Sequence, residues 1–232
     1  MGLGTSWHWW DKNVAFFNNT HHDECEVLVI DNRGTGQSPD VPFTFRYSMT
    51  DMAFDIMTLL EELDWIGTSA ESKQLKLHLI AQSMGGLIAT QMLQIEQQLY
   101  DGTMSHFKTV TLQNTFRTVF SYHAMPMLDT TLFLMKQVAL GLASLETRMK
   151  IVLEQMFSSD YVEENFDDLY KRYSHMFDNY RLVGGVKQTM GIMTYYISES
   201  DFIKAYNRVD KVILVNSKKD RFVSYRLNHN PI

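Results

Sequence analysis

The chain has 232 residues, 45% of them hydrophobic and 21% charged, with 12 Gly, 4 Pro and a net charge of −6. That is enough polypeptide for one sizeable core or two small ones, and it excludes collagen-like, low-complexity and disordered chains. Lys and Arg do not cluster, which argues against nucleic acid as a partner, and the single cysteine, Cys25, excludes a disulfide framework and a cysteine metal site.

The first residues, MGLGTSWHWWDK, contain no basic stretch leading into an apolar run, so no secretory signal is read there. Glu26–Ile30 (EVLVI) is β-branched and ends in the turn-forming Asp31-Asn32-Arg33-Gly34-Thr35-Gly36, which predicts a strand. Ser48-Met49-Thr50-Asp51 reads as a capping box with Asp in place of Glu. It opens a helical pattern whose apolar positions are Ala53, Ile56, Met57, Leu59, Leu60 and Leu63. Leu75–Ile80 predicts a strand, Leu87–Leu99 a helix and Lys108–Gln113 another strand. Such alternation argues for a parallel sheet covered on both faces, an α/β fold.

From residue 116 to about 207 the pattern changes: helical stretches at Thr131–Ser144, Glu146–Phe157 and Tyr161–Phe177, and no convincing strand. Lys211–Val215 (KVILV) then restores one. The expected organisation is an α/β core of residues 1–115 and 201–232, interrupted by a helical insertion over 116–200. The longest apolar stretch, Leu132–Leu145, is broken by Lys136 and Gln137, so no transmembrane segment is expected and a cytoplasmic location fits.

The segment that carries chemistry is His78-Leu79-Ile80-Ala81-Gln82-Ser83-Met84-Gly85-Gly86. A strand runs into a small residue, a polar one, Ser, and then two glycines that open a helix. A serine on so sharp a turn stands clear of the sheet, and the helix behind it offers free N–H groups to developing negative charge. Here the chain resembles the α/β-hydrolase superfamily of serine esterases and lipases, whose nucleophile elbow is G-x-S-x-G; Ala81 stands where the first glycine is usual. A glycine-rich helix start carrying a solvated serine is the plainer alternative. Three further segments support the resemblance. Asp31 to Ser38 looks like the family's D-x-R-G-x-G-x-S turn, in which Arg33 would be structural. Gly2-Leu3-Gly4-Thr5-Ser6 with Trp9-Trp10 looks like its oxyanion loop. Asn216 to Val223, with Asp220, looks like the turn bearing the acid.

The resemblance implies Ser83 as nucleophile, Asp220 as the acid that orients a histidine, and the backbone N–H groups of Leu3 and Met84 as oxyanion hole. It implies an inserted helical cap, a small-molecule ester or thioester substrate with an apolar acyl group, and no metal or organic cofactor. Serine rather than aspartate at the elbow argues against epoxide hydrolases and haloalkane dehalogenases. The Met, Phe and Tyr of the insertion could line an acyl pocket or simply form the core of a helical subdomain, and the second is favoured. The catalytic histidine is the difficulty. Of eight histidines only His229 follows Asp220, and only twelve residues remain after that aspartate. A helix, a strand and their connections need on the order of 20 residues. The family's strand that feeds the oxyanion loop has no counterpart ahead of Gly2 either. The chain is therefore expected to be a fragment truncated at both ends, inactive and poorly soluble, with His123 or His229 as the unconventional bases to consider if it is active. The competing expectation is a non-catalytic binding or scaffold protein that keeps the fold with an incomplete triad.

Overall fold

Three short apolar runs find one another as a parallel sheet, and the helix between the first two fixes their order. In the computed structural model, which describes residues 1–100, 105–117, 144–174 and 181–217, the strands are β1 (Leu77–Gln82), β2 (Phe107–Gln113) and β3 (Lys211–Val215). They lie in the order β1-β2-β3, all parallel, with Ile80, Thr111 and Ile213 in register.

The helices of the described residues are α1 (Asp11–Thr20), α2 (Met49–Glu62), α3 (Met84–Leu99), α4 (Leu145–Met156), α5 (Ser159–Tyr173), α6 (Leu182–Met193) and α7 (Glu199–Tyr206). The capping box at α2 forms as read. The Ser48 hydroxyl accepts from the Asp51 N–H at 3.0 Å, and the Asp51 carboxylate accepts from the Ser48 N–H at 3.1 Å. α2 buries Met49, Met52, Ala53, Met57 and Leu60, whereas Leu59 and Leu63 point away from that face and are exposed. α3 connects β1 to β2 and packs against α2, α7 and the sheet. A helix enclosed on several sides must be apolar almost all round, and Met84, Leu87, Ile88, Met92 and Leu93 are all buried.

The main core joins α2, α3 and the sheet to residues from the later helices, including Ile192, Tyr195, Ile197 and Tyr206. Burial pushes the Tyr206 hydroxyl pKa upward, and that hydroxyl shares a 2.9 Å hydrogen bond with Thr90. A second cluster, Met149, Leu153, Val162 and Leu169, is formed between α4 and α5. These apolar residues of the middle region are helix–helix core.

Several expectations shift. β1 begins at Leu77 rather than Leu75, and α3 begins three residues earlier than read, directly after Ser83. α4 and α5 stand where two helical stretches were expected, α5 ending at Tyr173. The expected helix Thr131–Ser144 lies outside the described residues, apart from Ser144, which caps α4 by accepting from the Thr147 N–H. α1 was not expected; it buries none of its residues, so no apolar stripe announced it. The largest correction concerns Glu26–Ile30, which pairs with no strand among the described residues and has no fully buried residue. A strand needs a ladder partner, and the space between this run and β1 is a cavity of about 710 Å³. Among the described residues no helix is long and apolar enough to cross a membrane.

Candidate active site

Ser83 sits where β1 turns into α3, with φ 51° and ψ −122°. A β-carbon-bearing residue rarely adopts positive φ, because its Cβ crowds the neighbouring carbonyl, so the surroundings must hold it there. The restraints are specific. The Ser83 N–H donates to the Gln113 carbonyl at 2.9 Å, and the Ser83 carbonyl accepts from the Thr115 hydroxyl at 2.7 Å and from the Gly86 N–H at 2.9 Å. The two glycines serve close approach. A Cβ on Gly86 would collide with the Thr115 side chain, and one on Gly85 would lie 2.8 Å from the Met1 N. With its backbone fixed on three sides, the Ser83 hydroxyl has no hydrogen-bond partner among the described residues.

The segment Gly2–Ser6 lies beside it. A Cβ on Gly2 would be 3.8 Å from the Ser83 Cβ, which puts the loop backbone against the serine. Leu3 packs on the main core and Met84 is buried as the first residue of α3. A first-turn N–H such as that of Met84 has no acceptor within its helix, and the Leu3 N–H donates to no other described residue. Two N–H groups thus remain available near one serine.

The loop is held by two devices that the sequence did not announce. Gln188, fully buried on α6, accepts from the Gly4 N–H at 3.0 Å and donates to the Arg33 carbonyl at 3.1 Å, joining the Gly2–Ser6 segment to the Asp31–Ser38 turn. The Asp31 carboxylate accepts from the Trp7 N–H at 2.7 Å and from the Gln37 N–H at 2.9 Å. Asp31 was visible as a motif residue, but Gln188 lies in an ordinary helical stretch with no local signal. Arg33 is structural as expected. Its guanidinium makes two bonds to Asp55, at 2.7 and 2.6 Å, and the carboxylate hydrogen bond raises its pKa.

Asp220, His123, His175 and His229 lie outside the described residues. The chain just after β3, residues 216 and 217, is described, however. Asn114, at φ 44°, donates its N–H to the Val215 carbonyl at 2.8 Å and accepts from the Ser217 N–H at 2.8 Å. That pair ties the exit of β3 to the exit of β2, next to the strand end that holds Ser83. The described histidines are engaged elsewhere. His106 bonds the buried Glu96, His8 stacks on Trp7, His21 and His22 pair with Glu24 and Asp23, and His78 lies exposed on β1.

The parallel sheet with helices packed on it fits an α/β architecture. The chain belongs to the α/β-hydrolase fold family, which it matches over residues 2–229. Among solved structures it is similar to an enol-lactonase from Burkholderia xenovorans, with TM-score 0.58 and 17% identity, covering 93% of this chain and 80% of that one. A thermophilic esterase from Thermogutta terrifontis gives TM-score 0.55 and 16% identity, covering 93% and 78%. Homoserine O-acetyltransferase from Staphylococcus aureus gives TM-score 0.63 and 15% identity, covering 96% and 68%. At such identities the likeness concerns the fold. Comparison with curated protein sequences gives no match.

Proposed function

We propose that this chain carries the site of a serine hydrolase acting on a small-molecule ester or thioester with an apolar acyl group, without metal or organic cofactor. The observation that carries the reading is the Ser83 backbone, held at positive φ with its hydroxyl unengaged beside free amide donors. In this reading the Ser83 Oγ attacks the carbonyl carbon while a histidine takes its proton. The N–H groups of Leu3 and Met84 hold the oxyanion, and the alcohol or thiol leaves with the proton returned by the histidine. Water, deprotonated by the same base, then cleaves the acyl-enzyme. Asp220 is assigned as the acid that orients the base; the anchoring of the preceding turn by Asn114 supports this. Residues 1–115 and 201–232 are taken as the hydrolase core and 116–200 as a helical cap. Contact between Trp9 and Tyr173, with ring centroids 5.5 Å apart, supports a cap that reaches the loop beside the serine. The printed activities of the enol-lactonase and the esterase agree with an ester substrate.

Among the described histidines, His106 bonds Glu96, and His21 and His22 pair with Glu24 and Asp23. The same observation favours a second reading, a non-catalytic α/β-hydrolase-like binding or scaffold protein with an incomplete triad. Turnover of a p-nitrophenyl ester separates the readings. Ser83→Ala should lower it by about a thousandfold or more, and Asp220→Asn should also lower it strongly by leaving the base misoriented. Turnover kept within tenfold in Ser83→Ala would contradict the nucleophile.

A further inference from the structure

α6 meets the loops around Ser83 along one face, Gly184, Gln188 and Gly191, which its turns bring into line. The two glycines let the helix touch backbone directly. A Cβ on Gly184 would collide with the Gly34 carbonyl oxygen, and one on Gly191 with that of Tyr47. The Tyr47 N–H also donates to the Lys187 carbonyl at 3.1 Å, so this face is tied down as well as close. Between the two glycines stands Gln188, with no exposed surface. A buried amide costs free energy unless both of its ends are bonded. Each end of Gln188 goes to a different loop: Oε1 accepts from the Gly4 N–H, and Nε2 donates to the Arg33 carbonyl.

The bond to Gly4 falls where the loop has no restraint of its own. Gly2–Thr5 is a turn with Gly4 at φ 65° and Leu3 outside the positive-φ region, which is the type II form. Its internal bonds, from the Thr5 N–H at 3.4 Å and the Thr5 hydroxyl at 3.0 Å, both end on the Gly2 carbonyl. Neither touches the Leu3–Gly4 peptide in the middle, and a glycine at that place accepts either sign of φ, so the peptide can turn over to the type I form at little cost. Turned over, it would set the Leu3 carbonyl against the Gln188 Oε1, oxygen facing oxygen. We propose that Gln188 is a positioning residue for ester hydrolysis, holding this turn in its type II form and thereby keeping the Leu3 N–H aimed at the oxyanion beside Ser83. The Leu3 N–H sits on the next peptide plane, hinged at the same Cα, and is steady only while the clamped plane is. The inference rests on the reading of Ser83 as nucleophile and Leu3 as an oxyanion donor, and adds a residue from a helix remote in sequence from both.

The test uses the 232-residue chain and three variants. Gln188→Met is similar in size and lacks both bonds, and Gln188→Glu keeps the acceptor for Gly4 but not the donor to Arg33. Thr189→Val removes only a hydroxyl bonded within α6, to the Gly185 carbonyl at 2.8 Å. Amide exchange at Gly4, the rate of fluorophosphonate adduct formation on Ser83 with imidazole present, and the urea midpoint are read on each. Gln188→Met should quicken Gly4 exchange and slow labelling, each by at least tenfold, while the Gly86 amide bonded to the Ser83 carbonyl keeps its protection. Gln188→Glu should label faster than Gln188→Met although its buried carboxylate lowers the midpoint further, and Thr189→Val should label within twofold of the unaltered chain. Labelling that simply follows the midpoint across the series, or a rate unchanged in Gln188→Met, would overturn the proposal while leaving the nucleophile standing. If Gln188→Met does not fold, Gln188→Asn, one methylene too short to reach both loops, takes its place with the same expected result. No adduct on Ser83 in the unaltered chain would overturn the nucleophile and this inference together.

Discussion

The two sides of β1 differ sharply. On one side β2 and β3 complete the ladder, and the chain spends its turn residues on fixing Ser83, Asn114 and Thr115 around the strand ends. On the other side Glu26–Ile30, as β-branched a run as any in the sequence, pairs with nothing described. KVILV at 211–215 and EVLVI at 26–30 carry nearly the same local signal, yet only the first is a strand. Strand propensity thus describes a side-chain surface that fits a sheet, while the neighbouring backbone decides whether a sheet exists there.

The largest effect on the completed side is expected from Glu96. Buried at the end of α3, it accepts from the Ser105 hydroxyl at 2.6 Å and the His106 N–H at 2.6 Å, and it bonds the His106 ring at 3.0 Å. Glu96→Ala orphans these groups, and at about 1–3 kcal/mol for each buried one the loss should reach roughly 3 kcal/mol or more. Urea unfolding midpoints measure it, and a loss below about 1 kcal/mol would show that the completed side is looser than described.

The open side offers a pH signature. The Met1 amino group ordinarily titrates near 8.0 and does so near 6 when buried here, so between those values the unfolded chain binds more protons. Stability should therefore rise with pH from about 6 to 8, by roughly 2–3 kcal/mol in total. Amino-terminal acetylation should flatten that window in thermal melts. An unchanged slope after acetylation would mean that Met1 is not buried.

Gly86→Ala tests the elbow itself, since the new methyl meets the Thr115 side chain. A destabilisation of about 1–3 kcal/mol is expected, with partial relief in the Thr115→Ala background, which removes the Oγ1 and Cγ2 atoms that the new methyl would meet. The smallest effect should come from Arg33→Gln. Its bidentate partner Asp55 is 47% exposed, and such pairs contribute about 0–1 kcal/mol, so a larger loss would mean that the turn carries load through Arg33.

What the sequence disclosed follows the range of the interactions involved. The capping box at Ser48, the strand-to-helix turn at Ser83 and the strand KVILV are local patterns, and each appears where it was read. The exposure of Leu59 and the missing pairing of Glu26–Ile30 depend on distant segments, so periodicity alone misjudged them. Gln188 is separated by 184 residues from the Gly4 N–H it accepts, and nothing in its helical neighbourhood signals a loop clamp. The turn at Ser83 was legible because its signal concentrates in one pentapeptide, whereas its restraint by Gln113 and Thr115 comes from another strand and the residues after it.

The measurement that bears most directly on Ser83 is mass-spectrometric mapping of a fluorophosphonate adduct on the 232-residue chain, with and without imidazole as an added base. The expected result is a single adduct on the peptide containing Ser83. It should strengthen with imidazole and be lost in Ser83→Ala and on heat unfolding. A folded chain that gives no adduct under either condition, or gives one on a different residue, would contradict the assignment of Ser83 as the nucleophile.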